Sequence, residues 1–423
     1  MIKKLCIGCI IELTFLLLFY EMCVAQDWNG SLADLLRSQP NRFEKVMRNP
    51  AKHRLQIIYT QIDRDAENQP QFHSFTFRNN DKEYFYPAST VKLPVALLAL
   101  EKLNRLQITG LDRDTVMLTG TDGNPQTMAT EDKTSTDGLP RISQYVKKIL
   151  LVSDNDAFNR LYEFVGHDSV NRSLAKKRYN KSRIVHRLSI ALGPEANRHT
   201  NPIKFVRGDH TVYEQPGAES TWVLKADIPI RIGEGDLIRG KLITGPKNFS
   251  SKNCLPLQAM HDVVKNVIFP KQSGDGNFDL SQSDRDFVYR YMSALPREGG
   301  IAKYVDPQKY PDAHVKFLLY GGEAKSIPTN IRVFNKVGLA YGFLTDAAYV
   351  VDFKNKIEFI LAATIYTNAN QIFNDGIYEY DEIGLPFLMN LGQAIYELEL
   401  QRKRIHQPKL NRFEKYRFPA NTN

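Results

Sequence analysis

Cysteine is nearly absent from this 423-residue chain: there are four, and Cys6, Cys9 and Cys23 all fall in the first 25 residues. Cys254 is left alone in the remainder, so no intrachain disulfide is open to it and an apolar core must supply the stability. That thiol reads as a small buried hydrophobe. The nine histidines show neither the H-E-x-x-H spacing nor the clustering of a zinc site, so no metal is expected. Asp275-Gly276-Asn277-Phe278-Asp279 hints at a calcium loop, but Leu280 stands where the loop needs glycine. Internal repeats and low-complexity blocks are missing as well. The apolar run Leu5 to Tyr20 is broken by Glu12 and falls short of the about 20 apolar residues that span a bilayer. With Lys3 and Lys4 before it and Cys23-Val24-Ala25 after it, residues 1–25 read as a signal peptide, which predicts an exported protein. Lipidation of Cys23 would be its one attachment to a membrane.

Acidic residues are the scarcer charge, 47 against 56 basic, a net +9. The excess is not patterned for nucleic acid. Arg402, Lys403, Arg404, Lys409, Arg412, Lys415 and Arg417 face only Glu414 near the end, so residues 403–423 read as a solvated basic tail.

What is present begins with Ser89-Thr90-Val91-Lys92, followed by the apolar run Leu93 to Leu100. A helix starting near Ser89 puts residues three apart on one face, so the Lys92 amine can reach the Ser89 hydroxyl. Burial of such a helix lowers the lysine pKa and frees neutral amine as a base. The Ser89 N–H, unpaired at a helix start, can face a developing oxyanion. Ser173-Leu174-Ala175-Lys176 has the same spacing without that setting.

Ser153-Asp154-Asn155 lies where the apolar stretch Ile149 to Val152 gives way to a turn before a new helical pattern. A hydroxyl there can relay a proton, and the Asn155 amide can both donate and accept toward a peptide-like group. The competing reading is a helix N-cap. Lys336-Val337-Gly338 opens a hairpin whose second strand runs Phe359 to Tyr366. A lysine on such a strand attracts a carboxylate, and the glycine beside it lets backbone approach closely.

With these three elements in this order, the chain resembles the class A serine β-lactamases and their penicillin-binding relatives, whose S-x-x-K, S-D-N and K-T-G set they match. The paired helical stretches Leu255 to Met260 and Leu280 to Met292 resemble the family too, and the likeness covers roughly residues 50–400. It implies acylation of Ser89 with Lys92 as base, and an oxyanion hole from the N–H groups of Ser89 and Leu339. Ser153 and Lys336 would return the proton, while Asn155, Lys336, Gly338 and Leu339 bind substrate. Glu195, on the loop between the second and third motifs, would activate the deacylating water. That loop departs from E-x-x-L-N, with Arg198 and His199 where Leu and Asn would stand, and Asn197 or Asn201 could replace the amide. Val337 replaces the hydroxyl residue of K-T-G.

The resemblance implies a β-lactam as substrate, with a D-Ala-D-Ala peptide of peptidoglycan or a non-turnover penicillin sensor as the alternatives. It calls for no cofactor, a monomer, and a periplasmic or envelope location. The expected fold is α+β: an antiparallel sheet built from both chain ends, with flanking helices and an inserted all-α lobe over about 89–295. The hydrolase domain would span 26–402. Residues of about 205–252 read as an insertion of short strands and loops bordering the cleft.

Overall fold

The computed structural model describes residues 30–123, 127–222, 229–323 and 326–416. The expected signal peptide, residues 223–228 of the expected insertion and residues 417–423 of the expected tail lie outside them.

Continuous apolar runs mark the central strands. Phe343–Asp352 and Ile357–Tyr366 are buried at every position, as strands covered on both faces must be. Ile331–Ala340 pairs antiparallel with the first, and Gln56–Arg64 with the second. Pro70–Phe77 completes the five-stranded sheet at the other edge. Both chain ends thus build one antiparallel sheet, as expected. A two-residue turn, Tyr341-Gly342, joins Ile331–Ala340 to Phe343–Asp352 with both residues at positive φ, the geometry that matches the twist of a hairpin.

One face of the sheet packs on the helix Leu385–Gln401 and the N-terminal helices Leu32–Arg37 and Pro40–Met47. Phe43 meets Phe387 edge-on at 5.6 Å, and Arg42 clasps Glu397 at 2.8 Å. The opposite face carries the helices Lys92–Leu106, Ile142–Val152, Asn155–Val165, Leu257–Ile268 and Gln282–Ser293. This is the α+β arrangement anticipated from the order of elements.

Two expectations are corrected. The lobe is not all helical: Val116–Thr119, Ile203–Arg207 and His210–Gln215 form a three-stranded sheet in it. In the middle strand Ile203 and Phe205 point inward while Lys204 is exposed, a period of two that a helical reading overlooks. The described part of the expected tail, residues 403–416, is not simply solvated either. Leu410, Phe413 and Tyr416, three residues apart, are buried against the core, with Phe413 lying 5.1 Å from Phe334 and 5.4 Å from Tyr349. Charge counting hid this apolar stripe. The expected insertion does fold into short strands, among them the hairpin Gly235–Ile238 with Lys241–Thr244. Among the described residues no helix is long and apolar enough to cross a membrane.

Candidate active site

Ser89 stands in the one-turn helix Ala88–Val91, immediately before the helix Lys92–Leu106. Ala88 takes φ +46°, a conformation that costs a residue with a side chain of order 1–3 kcal/mol and is typical of functional turns. The turn is held by Thr90, whose N–H and hydroxyl both donate to the Pro87 carbonyl at 3.0 and 2.7 Å. Ser89 itself is half-buried, and its hydroxyl has no hydrogen-bond partner among the described residues.

Lys92, at the head of the long helix, is wholly buried. Its Nζ donates to Asn155 Oδ1 at 2.7 Å, to Ser153 Oγ at 3.3 Å and to the Ser153 carbonyl. Desolvation pushes its pKa down to about 7, against a smaller upward pull from Asp154. The Ser173/Lys176 pair has no such environment, because Lys176 is exposed on the helix His167–Lys176.

The Ser153-Asp154-Asn155 triplet divides its labour. Asp154 is the N-cap of Asn155–Val165 and accepts from the Ala157 N–H at 2.8 Å, so the capping reading holds for that residue. Ser153 ends the preceding helix in the left-handed region, φ +58°, and Asn155 opens the next. Both therefore face Lys92. From the sheet, Lys336 sends its Nζ to Ser153 Oγ at 2.8 Å and to the Val337 carbonyl at 2.9 Å. Burial drives the Lys336 pKa well below its ordinary value, and the nearby Lys92 charge pushes the same way. One hydroxyl thus lies between two amines that both tend toward the neutral form.

Gly338 is where the sheet and the nucleophile turn meet. A Cβ there would stand 2.4 Å from the Pro87 carbonyl oxygen and 3.2 Å from the Ser89 nitrogen. Leu339, the next residue, is 40 % exposed. Val337 faces the other way, into the apolar cluster behind the sheet, beside a buried polar group. In that group Lys316 Nζ donates to Asn335 Oδ1 at 2.7 Å, and Asn335 donates to Asp346 at 2.8 Å. The insertion borders this end of the sheet: its Phe249 packs against Tyr86 and Tyr341, which meet edge-on at 5.1 Å.

Glu195 is not brought to this cluster. It lies exposed on the short helix Pro194–Arg198 and lines a separate cavity of about 580 Å³ with Asp122, His199 and Glu219. The loop is held by other groups. Asn197 is buried and donates to the Leu192 and Gly193 carbonyls, and Arg187 pairs with Glu163 at 2.9 Å. Asn201 donates to the same Glu163 at 3.0 Å, so neither asparagine reaches Lys92. What the loop presents instead is Ser189, at φ +55°, whose hydroxyl accepts from Asn155 Nδ2 at 2.7 Å. The motifs did not point to Ser189; its place two residues after the anchoring Arg187 is the one signal available.

A family model described as the beta-lactamase enzyme family matches residues 40–222, a span that includes Ser89 and Ser153 but stops before Lys336. No curated protein matches the chain. Among solved structures it is similar to PBP-A, at 14 % identity over 87 % of this chain and 97 % of that one, with a TM-score of 0.48. The β-lactamase of Streptomyces albus G is similar at 13 % identity over 86 % and 99 %, with a TM-score of 0.48. That of Sphaerobacter thermophilus gives 13 %, 88 % and 97 %, with a TM-score of 0.45. The match over residues 40–222 bears out the resemblance read from the motifs, to a family of serine β-lactamases and penicillin-binding relatives.

Proposed function

We propose that this chain, a serine hydrolase of the β-lactamase and penicillin-binding type that acts on amide bonds, is acylated at Ser89 and keeps the acyl group for long. The observation that carries the acylation half is the Ser153 hydroxyl held between the Lys92 and Lys336 amines beside the Ser89 turn. Neutral Lys92 takes the Ser89 proton as Oγ attacks the carbonyl carbon. The oxyanion is met by the N–H groups of Ser89 and Leu339, which the close approach at Gly338 favours. Ser153 then gives its proton to the departing nitrogen and is refilled from the amine beside it. Acyl donors of this class are a β-lactam ring or a D-Ala-D-Ala peptide, whose strand lies along Ile331–Ala340.

The second half rests on the loop. Among the described residues no carboxylate is hydrogen-bonded to the Lys92 amine or the Ser153 hydroxyl, and Ser189 rather than Glu195 touches Asn155. A neutral hydroxyl is a poor base for water, which favours a peptidase or penicillin sensor over rapid β-lactam turnover. Mixing the protein with a chromogenic cephalosporin, and following both colour and intact mass, tests this. A persistent mass adduct with little colour beyond one equivalent is expected, and Ser89→Ala should abolish it. Multiple turnovers would overturn the slow-release reading, and an adduct surviving Ser89→Ala would overturn the choice of nucleophile.

A further inference from the structure

At the other end of the sheet the closing segment of the chain, the ends of two helices and the first hairpin enclose an open groove of about 760 Å³. Six cations line it, Arg64, Lys271, Arg285, Lys409, Arg412 and Lys415, together with five Asn and Gln side chains and no Asp or Glu. Two of the six are neutralised: Arg64 by both oxygens of Glu358, at 2.5 and 2.7 Å, and Lys415 by Asp286 at 2.8 Å. Lys271, Arg285, Lys409 and Arg412 have no carboxylate within ion-pair distance among the described residues. Arg412 is instead held against the Phe413 and Phe269 rings, 4.3 and 5.1 Å from their centres.

Several surface cations elsewhere are paired. Arg48 meets Glu44, Arg141 meets Asp137, and Lys181 meets Asp81. Four unpaired positive charges converging on one concavity repel each other, a cost that an anion in the groove would remove. The groove is also remote from Ser89. Gly338, Thr345, Thr364 and Gln56 form one row across the sheet, and Arg64 lies eight residues farther along its strand, about 26 Å away.

We infer that this groove is a second binding site, for a ligand carrying two or more phosphate groups in series. Arginine forks and lysine ammonium groups match phosphate oxygens, and the volume falls in the range of about 300–1,000 Å³ of small-molecule sites. Five amide side chains add donors and acceptors for the rest of such a ligand. This inference does not depend on the reaction proposed for Ser89.

Inorganic tripolyphosphate titrated into the full chain by calorimetry is the direct probe. Saturable one-to-one binding that weakens with added salt is expected. Lys271→Gln combined with Lys409→Gln, both exposed residues, should weaken it about tenfold or more, each lost charge-assisted contact accounting for part. Arg412→Gln is the second variant, with a melting curve to show that it folds, and the Ser89 adduct should form normally in all of them. Absence of binding at low salt and millimolar tripolyphosphate would overturn the inference, as would binding unchanged in the variants. Vesicles carrying a prenyl diphosphate, whose two phosphates are in series, provide a further arm: competition with tripolyphosphate assigns the phosphates to a lipid headgroup, and its absence assigns them to a soluble ligand.

Discussion

Replacing Gly338 with alanine tests the meeting of sheet and nucleophile turn with a single methyl group. That methyl would sit 2.4 Å from the Pro87 carbonyl oxygen, 3.0 Å from Thr90 Cγ2 and 3.2 Å from the Ser89 nitrogen, whereas ordinary contact begins at 3.4 Å. Two of the three obstacles are backbone, so no flexible side chain can swing aside. The strand Ile331–Ala340 and the 88–91 turn must therefore part by about 1 Å, a misplacement that can cost an oriented reaction about 10²-fold. The same parting pulls the two N–H groups off the oxyanion position, where losing one donor costs about 10²–10³-fold. Acylation of Gly338→Ala by a penicillin, timed by intact mass, should be slower by at least about 10²-fold. The fold should survive, because the strand keeps its neighbour Phe343–Asp352 along its whole length. Acylation at the parent rate in a variant that melts normally would refute the reasoning.

With the Lys92 pKa held down to about 7, the neutral base accumulates as pH rises, so the acylation rate should climb about tenfold from pH 6 to pH 8 and then level. A rate that falls over this range, measured by adduct formation, would mean the charged amine is the active form. Ser189→Glu sets a carboxylate beside Asn155 and should shorten the adduct lifetime, whereas Glu195→Gln should leave it unchanged; deacylation followed by mass spectrometry separates the two. Lys316→Met would strip the Met292 and Val333 carbonyls and Asn335 of their donor, with Asp346 still buried nearby. A loss of about 3–5 kcal/mol in urea denaturation is expected, and a change near zero would show that the fold does not need this ammonium.

The central strands and the three motifs were legible because their signals are local. Apolar runs such as Phe359 to Tyr366 declare a covered strand, and Ser89 and Lys92 sit one turn apart. Glu195 is a carboxylate on the appropriate loop, but the course of that loop is decided by Arg187 pairing with Glu163 on the helix Asn155–Val165. No spacing rule contains such a contact, so the sequence does not single out Ser189. In the same way Leu410, Phe413 and Tyr416 were outvoted by the lysines and arginines around them. Only the core they enter, Tyr289, Phe334 and Tyr349, reveals them as anchors.

The strand Gln56–Arg64 finds one partner at once, in Pro70–Phe77, but its other partner, Ile357–Tyr366, is synthesised about 300 residues later. A two-stranded hairpin is marginal in water. During elongation this early apolar ribbon therefore waits, and such unpaired edges favour aggregation. Chains cut short before residue 366 should accumulate as insoluble material, not as smaller active enzymes.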